Sequence, residues 1–407
     1  MSKVKDNFTF RLICVLCCAI LIIFRQPDLI KHPRLWGEEG CVFYQFALHH
    51  SVYEIYTTAH VGYLTLFNSI VSFVQAKLFS VEHAAVISTY FGFLIQLIPV
   101  YIICFTNNKF WSTPLKKMLY VLAIIVVAAP ELWLNTTNSH FIFGLITFLI
   151  MVISVNELSK FQQYFFRALL FIGGLTGPAS VLFTPAFIFK AYREKNKEKY
   201  IQAGILSICA VIQTGVIVYS ILYNNTYNRL SNHDYKRTVY SFFVDNFSIL
   251  PHTSTSYLHL TVFYLGLTFG IMMAVLFMYL LIKTRDNTDY FVSLISLLIV
   301  GVFSTLGSLN MAGSPRYAYI PGCIFIIIII SEAFENETNQ NLKLKRVSIL
   351  VLILCLAANI GYYRYGMRNV YAPNYPKWAD EVAKWRNDKS YNPKIHPGTD
   401  AGQCVKL

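Results

Sequence analysis

The feature that most constrains the fold of this chain is a series of long apolar blocks. A helix of about 20 apolar residues crosses the roughly 30 Å hydrocarbon core of a bilayer, and only 14% of the residues are charged, against about 25% in soluble domains. The sequence therefore predicts an all-α polytopic membrane protein. Its clear spanning candidates are 8–24, 83–105, 117–134, 140–157, 200–223, 258–282, 289–308, 316–332 and 347–363.

The positive charge of the chain predicts its orientation. The net charge is +13, but the cations lie in short loops between apolar blocks, which is the positive-inside pattern of membrane proteins and not a nucleic-acid surface. Arg25-Gln-Pro-Asp28 follows the first block in place of a small-residue cleavage site, so we expect an uncleaved first helix. The loops expected in the cytoplasm are the N-terminus, 106–117, 158–167, 190–199, 283–286 and 333–346.

Two further apolar stretches are not expected to cross the membrane fully. Residues 165–189 contain Gly173-Gly-Leu-Thr-Gly-Pro178, which breaks a helix and is typical of a re-entrant segment. Residues 62–80 are only moderately apolar, which favours a surface or partly inserted helix. The prediction is then nine spans, with the N-terminus in the cytoplasm and the C-terminus on the outer side of the membrane. Eleven full crossings would place the cations of 106–117 and 158–167 outside.

This layout divides the chain into a membrane domain, 1–363, and an outer tail, 364–407. The membrane domain has two large outer loops, 25–60 and 224–257. In the tail we expect a short helix over 376–387 with Trp378, Val382 and Trp385 on one face. Such a face suits either the membrane interface or a lid.

The first outer loop carries two adjacent acids, Glu38 and Glu39. Like charges repel, and bringing either near lipid costs free energy. A carboxylate is a common general base for removing a proton from a sugar hydroxyl, so we predict catalytic roles for both, with Trp36 beside them as a sugar-binding residue. The alternative is a solvated turn before an interfacial helix.

Two other segments predict sugar contacts on the same side of the membrane. Glu131, Asn135, Asn138 and His140 converge between two spans, where amide and imidazole groups can bind hydroxyls; the alternative is a polar turn that caps the next helix. Thr176, within the Gly/Pro break, is expected to contact sugar or phosphate. Its alternative is a packing kink.

A cation on the outer side predicts a phosphate site. Arg316, followed by Tyr317, stands at the outer start of a span. A guanidinium can bind a phosphate bidentately, whereas the alternative is an arginine that only reaches anionic headgroups. His233-Asp234 and Lys236-Arg237 lie in the 224–257 loop, which shapes an acceptor groove or is simply solvated.

The cysteines and acids give no metal-binding pattern. No CxxC pair has a matching second half, although the adjacent acids leave a divalent metal ion open as a cofactor. Cys41 and Cys404 would both face an oxidising compartment, and the sequence leaves open whether they pair.

Together these residues resemble the lipid-carrier-dependent membrane glycosyltransferases of the C-type (GT-C) fold, in which an acidic pair follows the first span. The layout Trp36-Gly-Glu-Glu-Gly40, Gly62-Tyr-Leu64, Glu131, Asn138-Ser-His140, Leu175-Thr-Gly-Pro178 and Arg316-Tyr317 is similar to the serotype-converting O-antigen glucosyltransferases of bacteria and their phages. Many C-type enzymes carry Asp-Glu or Glu-Asp, so the Glu-Glu pair leaves open which acid is the base.

The resemblance implies an inverting transfer of glucose from undecaprenyl-phosphate glucose to a sugar of the lipopolysaccharide O-antigen at the periplasmic face. It also implies a separate donor synthase and flippase. Arg316 and Tyr317 would bind the donor phosphate.

Several alternatives stay open at this point. They are a flippase or transporter of lipid-linked sugars, a membrane O-acyltransferase that uses His140, a non-catalytic assembly subunit, and a transferase with another sugar or a teichoic-acid-like or arabinan-like acceptor. The spans contain few ionisable residues, which argues against an ion-coupled transporter.

Overall fold

The computed structural model describes residues 7–60, 62–127, 129–223, 235–247, 260–307, 315–334, 342–370, 375–395 and 405–407. Within these ranges the chain is helical and forms no β-strand, only two isolated bridges. The α-helices are α1 Phe8–Arg25, α2 Pro27–Lys31, α3 Gln45–His49, α4 Val52–Thr57, α5 Leu66–Phe73, α6 Ala84–Phe105, α7 Pro114–Val126, α8 Ser139–Val152, α9 Lys160–Gly174, α10 Thr184–Glu194, α11 Lys197–Tyr223, α12 Tyr235–Phe247, α13 Leu260–Lys283, α14 Thr288–Leu306, α15 Pro315–Ala333, α16 Leu342–Val370 and α17 Trp378–Asn387.

Seven of the described helices are long and apolar enough to cross a membrane, namely α1, α6, α11, α13, α14, α15 and α16. Each contains at least 18 residues of mean hydropathy 1.5 or more. Many of their large apolar side chains are exposed, such as Val211 at 74% and Val275 at 65%, because lipid rather than protein is their solvent. The prediction of an all-α polytopic membrane protein is confirmed.

The expected spans 117–134 and 140–157 are shorter than predicted. Helix α7 has 13 residues and α8 has 14, which at 1.5 Å per residue is about 20 Å each. The turn between them is buried inside the bundle: Trp133 is 6% exposed and Asn135 is 2% exposed. The 25–60 segment covers this turn, because Glu39 of that segment accepts hydrogen bonds from Thr136.

Helices α9 and α10 form a hairpin whose two open ends lie on one side of the bundle. Near the start of α9, Gln162 Nε2 donates to the Phe105 carbonyl at the end of α6 (3.2 Å). Just beyond α10, Asn196 Nδ2 donates to Asn156 Oδ1 (2.8 Å), in the loop that precedes α9. The helix break predicted at Gly173–Pro178 is present and forms the tip of this hairpin.

The 62–80 stretch folds as α5 followed by a π-helical turn, Val74–Leu78. Its polar residues face the protein interior, which the sequence did not indicate. Asn68, Ser69, Ser72 and Gln75 are each 2–3% exposed, and Gln75 Nε2 donates to the Ala84 carbonyl (2.7 Å). The amides satisfy backbone carbonyls of other segments, since Asn68 Nδ2 donates likewise to the Thr136 carbonyl in the turn between α7 and α8 (2.9 Å).

Of the second outer loop, 224–257, the structure describes only helix α12. Helix α12 is not a solvated loop, because Tyr240, Val244 and Phe247 are 2–3% exposed and pack in the bundle. Asn246 Nδ2 donates to Thr305 Oγ1 of α14 (3.0 Å). The side chains of 233–237, including the predicted His233-Asp234 and Lys236-Arg237 cluster, lie outside the described residues.

The tail packs against the first outer loop. The predicted helix is confirmed as α17, with Trp378 and Val382 both 2% exposed. The Trp378 indole donates to the Val81 carbonyl before α6 (2.8 Å). On the other side of this contact, a Cβ on Gly40 would lie 2.8 Å from Ile395 Cδ1. The described part of the tail therefore packs against the segment that carries the acid pair and supports it.

Candidate active site

The two adjacent acids have different surroundings. Glu39 begins a π-helical turn, Glu39–Tyr44, and is 2% exposed. Its Oε1 accepts hydrogen bonds from Ser88 Oγ of α6 (2.5 Å), from Thr136 Oγ1 (2.7 Å) and from the Thr136 backbone amide. Its Oε2 accepts from the Trp36 backbone amide (2.8 Å). Glu39 thus links the first outer loop to α6 and to the turn between α7 and α8.

Burial sets the acidity of Glu39. Removal from solvent raises the pKa of this carboxyl, and the hydrogen bonds from Ser88, Thr136 and Trp36 oppose that rise without cancelling it. A carboxyl group that receives four hydrogen bonds and has almost no exposed surface cannot approach an acceptor sugar. Glu39 is therefore a positioning residue in this structure.

Glu38 instead faces a cavity of about 260 Å³. The side chain is half-buried. The polar residues that line this cavity are Glu38, Thr65, Thr137, Asn138, His140, Ser304 and Arg316. The aromatic and apolar residues that line it are Phe43, Tyr63, Phe141, Pro178, Ala179, Leu182, Phe303 and Tyr317. One carboxylate and one guanidinium therefore share a small chamber whose wall combines polar and apolar side chains.

Arg316 is held in this cavity by an acid from a different segment. Its Nη1 lies 3.1 Å from Glu131 Oε2, and the two side chains are 25% and 31% exposed. The guanidinium also lies 5.3 Å from the centre of the Tyr317 ring, and Tyr317 packs edge-on against Phe141 (5.3 Å between ring centres). The structure thus brings together the predicted phosphate-binding pair and the predicted Glu131.

The predicted amides Asn135 and Asn138 fix the turn that carries Glu131. Asn135 Nδ2 and Asn138 Nδ2 both donate to the Glu131 carbonyl, at 2.7 and 2.9 Å. Asn135 is 2% exposed and does not line the cavity, so it shapes the turn and has no surface for a sugar. Asn138 is 3% exposed and does line the cavity.

The same turn contains a strained backbone position. Leu134 has φ of 50°, in the left-handed region that a bulky side chain rarely occupies, at a cost of about 1–2 kcal/mol. Helix α6 approaches this turn so closely that a Cβ on Gly92 would lie 2.7 Å from the Asn135 nitrogen. Such strain is typical of segments that hold functional groups in place.

Thr176 does not take the predicted role of a sugar or phosphate ligand. Its hydroxyl is 1% exposed, accepts from the Phe67 amide (3.0 Å) and donates to the Ile172 carbonyl (2.6 Å). These bonds fasten the tip of the α9–α10 hairpin to the start of α5. The next residue, Gly177, has φ of 81°, and a Cβ there would lie 3.0 Å from His140 Cβ, so glycine lets the tip approach the cavity wall.

His140 and Trp36 are separated by the structure. His140 lines the cavity, with its ring 6.2 Å from the Tyr63 ring and 4.1 Å from the Phe141 ring. Trp36 is half-buried against the hydrophobic core and does not line the cavity, and its recorded contact with the acid pair is through its backbone amide. Of these two predicted sugar-binding residues, His140 therefore lines the cavity and Trp36 does not.

Sequence reasoning missed the partners of Glu39 and part of the cavity wall. Thr136 lies inside the polar turn that the sequence did single out, and could have been included on that ground. Ser88 is one of three consecutive hydroxyl residues, Ser88-Thr89-Tyr90, in an apolar span, and nothing in the sequence distinguishes it from the other two. Phe303 and Ser304 come from the end of α14, which carries no motif.

The described residues contain no group of three or more His, Cys, Asp and Glu side chains with the geometry of a metal site. Cys41, beside the acid pair, donates from Sγ to the Gly37 carbonyl (3.3 Å). Cys404, its suggested partner, lies outside the described residues.

Comparison with known proteins adds no family to this geometry. No protein-family model matches the sequence, and no curated protein matches it significantly.

Proposed function

We propose that this chain is an inverting glycosyltransferase with a GT-C-like fold. It would transfer glucose from undecaprenyl-phosphate glucose to a sugar of the O-antigen at the periplasmic face of a bacterial inner membrane. The observation that carries the proposal is that Glu38 and Arg316 line one cavity beside an apolar wall. In this proposal α7 and α8 are two short crossings, which with the seven long helices give nine spans.

The chemistry needs only groups that the cavity offers. Glu38 takes the proton of the acceptor hydroxyl, and the acceptor oxygen forms a bond to the anomeric carbon of the donor. The bond from that carbon to the phosphate oxygen breaks, and its electron pair stays on the lipid phosphate, which the Arg316 guanidinium stabilises. Attack and departure on opposite faces invert the configuration at the anomeric carbon.

The shape of the cavity fits a lipid-linked monosaccharide. Its volume of about 260 Å³ is below the roughly 300–1,000 Å³ of sites for drug-sized ligands, which suits one sugar ring. Leu182 and Phe303 form an apolar side of the chamber next to α10 and α14. A polyprenyl chain can extend along such a surface while its phosphate stays near Arg316.

The experiment that tests this proposal is structural analysis of the O-antigen. Mass spectrometry and NMR would compare cells that express the wild type, Glu38→Gln or no protein. We expect one added hexose per repeat with the wild type alone. An identical glycan in all three, in a host shown to make undecaprenyl-phosphate glucose and the correct O-antigen, would refute the proposed function.

The orientation is tested by labelling introduced cysteines with a membrane-impermeant maleimide in intact cells. Tyr53 of α4 and Tyr192 of α10 are 76% and 70% exposed, so cysteine at either position is accessible from its own side. In a background with Cys41 and Cys404 replaced by Ser, we expect Tyr53→Cys to react from outside and Tyr192→Cys to react only after permeabilisation. The opposite pattern would reverse the proposed topology.

A further inference from the structure

Arg316, the group proposed to bind the donor phosphate, already pairs with Glu131. Glu131 Oε2 contacts Arg316 Nη1 at 3.1 Å, and both side chains keep some solvent exposure, 31% and 25%. A carboxylate and a phosphate carry the same sign and compete for one guanidinium. Arg316 therefore cannot give its full set of donors to a phosphate while Glu131 stays in place.

The surroundings of Glu131 suit a side chain that is exchanged. Its backbone is fixed, because two amides, from Asn135 and Asn138, donate to its carbonyl oxygen. Its carboxylate is not fixed in that way: among the described residues, none gives a hydrogen bond to Oε2, and the contact there is the ion pair itself. Departure of the carboxylate from Arg316 would therefore break none of the hydrogen bonds that hold the turn.

The contrast with Glu39 supports the same conclusion. The Glu39 carboxylate receives four hydrogen bonds from three segments and is 2% exposed, so it has one position. Among the described residues, the Glu131 carboxylate has one polar partner, Arg316, which lines the cavity. Of the two carboxylates, Glu39 and Glu131, only Glu131 can move when a ligand enters the cavity.

We infer that Glu131 is an exchangeable counter-ion of Arg316, and this inference rests on the proposed function. In the donor-free protein Glu131 neutralises the buried side of the guanidinium. When a lipid monophosphate enters, its phosphate displaces the carboxylate and takes the guanidinium. When the spent lipid phosphate leaves, Glu131 returns to Arg316 and so favours its release.

The test measures binding of farnesyl phosphate, a short isoprenoid monophosphate, to the purified full-length protein, with farnesol as the uncharged control ligand. Glu131→Gln keeps the size of the side chain and removes its charge. We expect Glu131→Gln to bind farnesyl phosphate about fivefold more tightly than wild type, the upper range for a partly exposed ion pair, with no change for farnesol. Arg316→Ala should weaken binding, and the gain from Glu131→Gln should vanish in the double variant.

Glu82→Gln is the matched control. Glu82 pairs with Arg386 in the tail at 2.6 Å, outside the cavity, so removing its charge should leave farnesyl phosphate binding unchanged. Equal or weaker binding by Glu131→Gln would overturn the inference, since Glu131 would then not compete with phosphate. Glu131→Ala gives a second charge-removing variant if Glu131→Gln does not fold.

The outcome also separates this inference from the proposed function. If wild type binds farnesyl phosphate no better than farnesol, the assigned donor class is wrong, and the inference falls with it. A different result would refute only the exchange and leave the donor site in place. In that result the wild type prefers farnesyl phosphate, Arg316→Ala lacks this preference, and Glu131→Gln binds farnesyl phosphate as the wild type does. In steady-state transfer, the exchange further predicts that Glu131→Gln lowers the KM for the donor and lowers kcat, because product leaves more slowly.

Discussion

Glu38→Gln is expected to lower the rate of hexose transfer by about 10²–10⁴-fold, the usual contribution of a general base. Gln has nearly the same shape but cannot accept the proton of the acceptor hydroxyl. Because Glu38 faces the cavity and is only half-buried, the change should not disturb the fold. The measurement is transfer of labelled hexose from purified polyprenyl-phosphate hexose to isolated O-antigen.

Two variants make the result specific to the carboxylate. Glu38→Asp keeps a base and displaces it, so it should retain more activity than Glu38→Gln. Glu54→Gln is the matched control on the same outer loop: Glu54 is exposed and closes a capping box with Ser51, a position where Gln serves as well as Glu. Transfer by Glu38→Gln at the level of Glu54→Gln would exclude Glu38 as the base.

Some features of this fold are local in the sequence and were predictable from it. An apolar block long enough to span a bilayer can be recognised from its own residues, whatever it packs against. The helices around 8–24 and 200–223 are accordingly close to their predicted bounds. The break at Gly173–Pro178 and the tail helix with Trp378 and Val382 are of the same kind. Each depends on helix propensity or periodicity over a few turns.

The division of roles between Glu38 and Glu39 is not local. Consecutive helical residues point about 100° apart, so one acid of an adjacent pair faces inward and the other does not. Which one does is decided by Ser88 and Thr136, which are 49 and 97 residues away in the chain from Glu39. No pattern within the 32–40 segment carries that information.

The polar residues around the cavity show a second limit. Asn135 was predicted to bind substrate because its amide lies in a polar turn, and Thr176 because it lies in a helix break. They are used, but by the backbone: Asn135 Nδ2 donates to the Glu131 carbonyl and Thr176 Oγ1 accepts from the Phe67 amide. Turns buried at membrane depth leave backbone groups that only such side chains can satisfy, and composition alone does not distinguish this use from binding.

The structure also bears on the transporter alternative. A flippase needs a path for a polar headgroup between the two sides of the membrane. Helix α8 begins at the cavity with Ser139 and His140, and from Phe141 to Val152 each of its residues is buried. This helix lies between the cavity beside Glu38 and a second cavity, of about 800 Å³, that Val152 and Ile153 help to line at its far end. Because the residues of α8 between the two cavities are buried and almost all apolar, this helix offers a polar headgroup no path from one to the other.

Glu39 is expected to govern stability where Glu38 governs rate. Glu39→Leu would leave the Trp36 and Thr136 amides and two hydroxyls buried without an acceptor, and should lower the free energy of unfolding by about 3–5 kcal/mol, as when one partner of a buried charged network is removed. Glu39→Gln can still accept at Oε1 but presents an NH₂ group to the Trp36 amide. One lost hydrogen bond and one donor facing another donor should cost about 1–3 kcal/mol. Thermal unfolding of the purified protein in detergent would measure both.

The pH dependence of that stability has a definite sign. Burial raises the pKa of Glu39 in the folded protein, so the folded state binds this proton more tightly than the unfolded state does. The contribution of Glu39 to stability is therefore complete below the unfolded pKa of about 4.3 and is lost as pH rises through the folded pKa. Gln does not titrate, so the stability of the wild type relative to Glu39→Gln should fall as pH rises above about 4.3.

The contrary outcomes are that the stability of the wild type relative to Glu39→Gln stays constant with pH, or that it increases as pH rises. Either result would mean that the four donors overcome burial and keep Glu39 ionised. Transfer activity then separates the two acids independently of that result. At a temperature where both variants remain folded, Glu39→Gln should keep more activity than Glu38→Gln, because it changes the support of the loop and leaves the cavity carboxylate in place. The reverse order would assign the proton transfer to Glu39, and would require that the segment carrying it open before the acceptor binds.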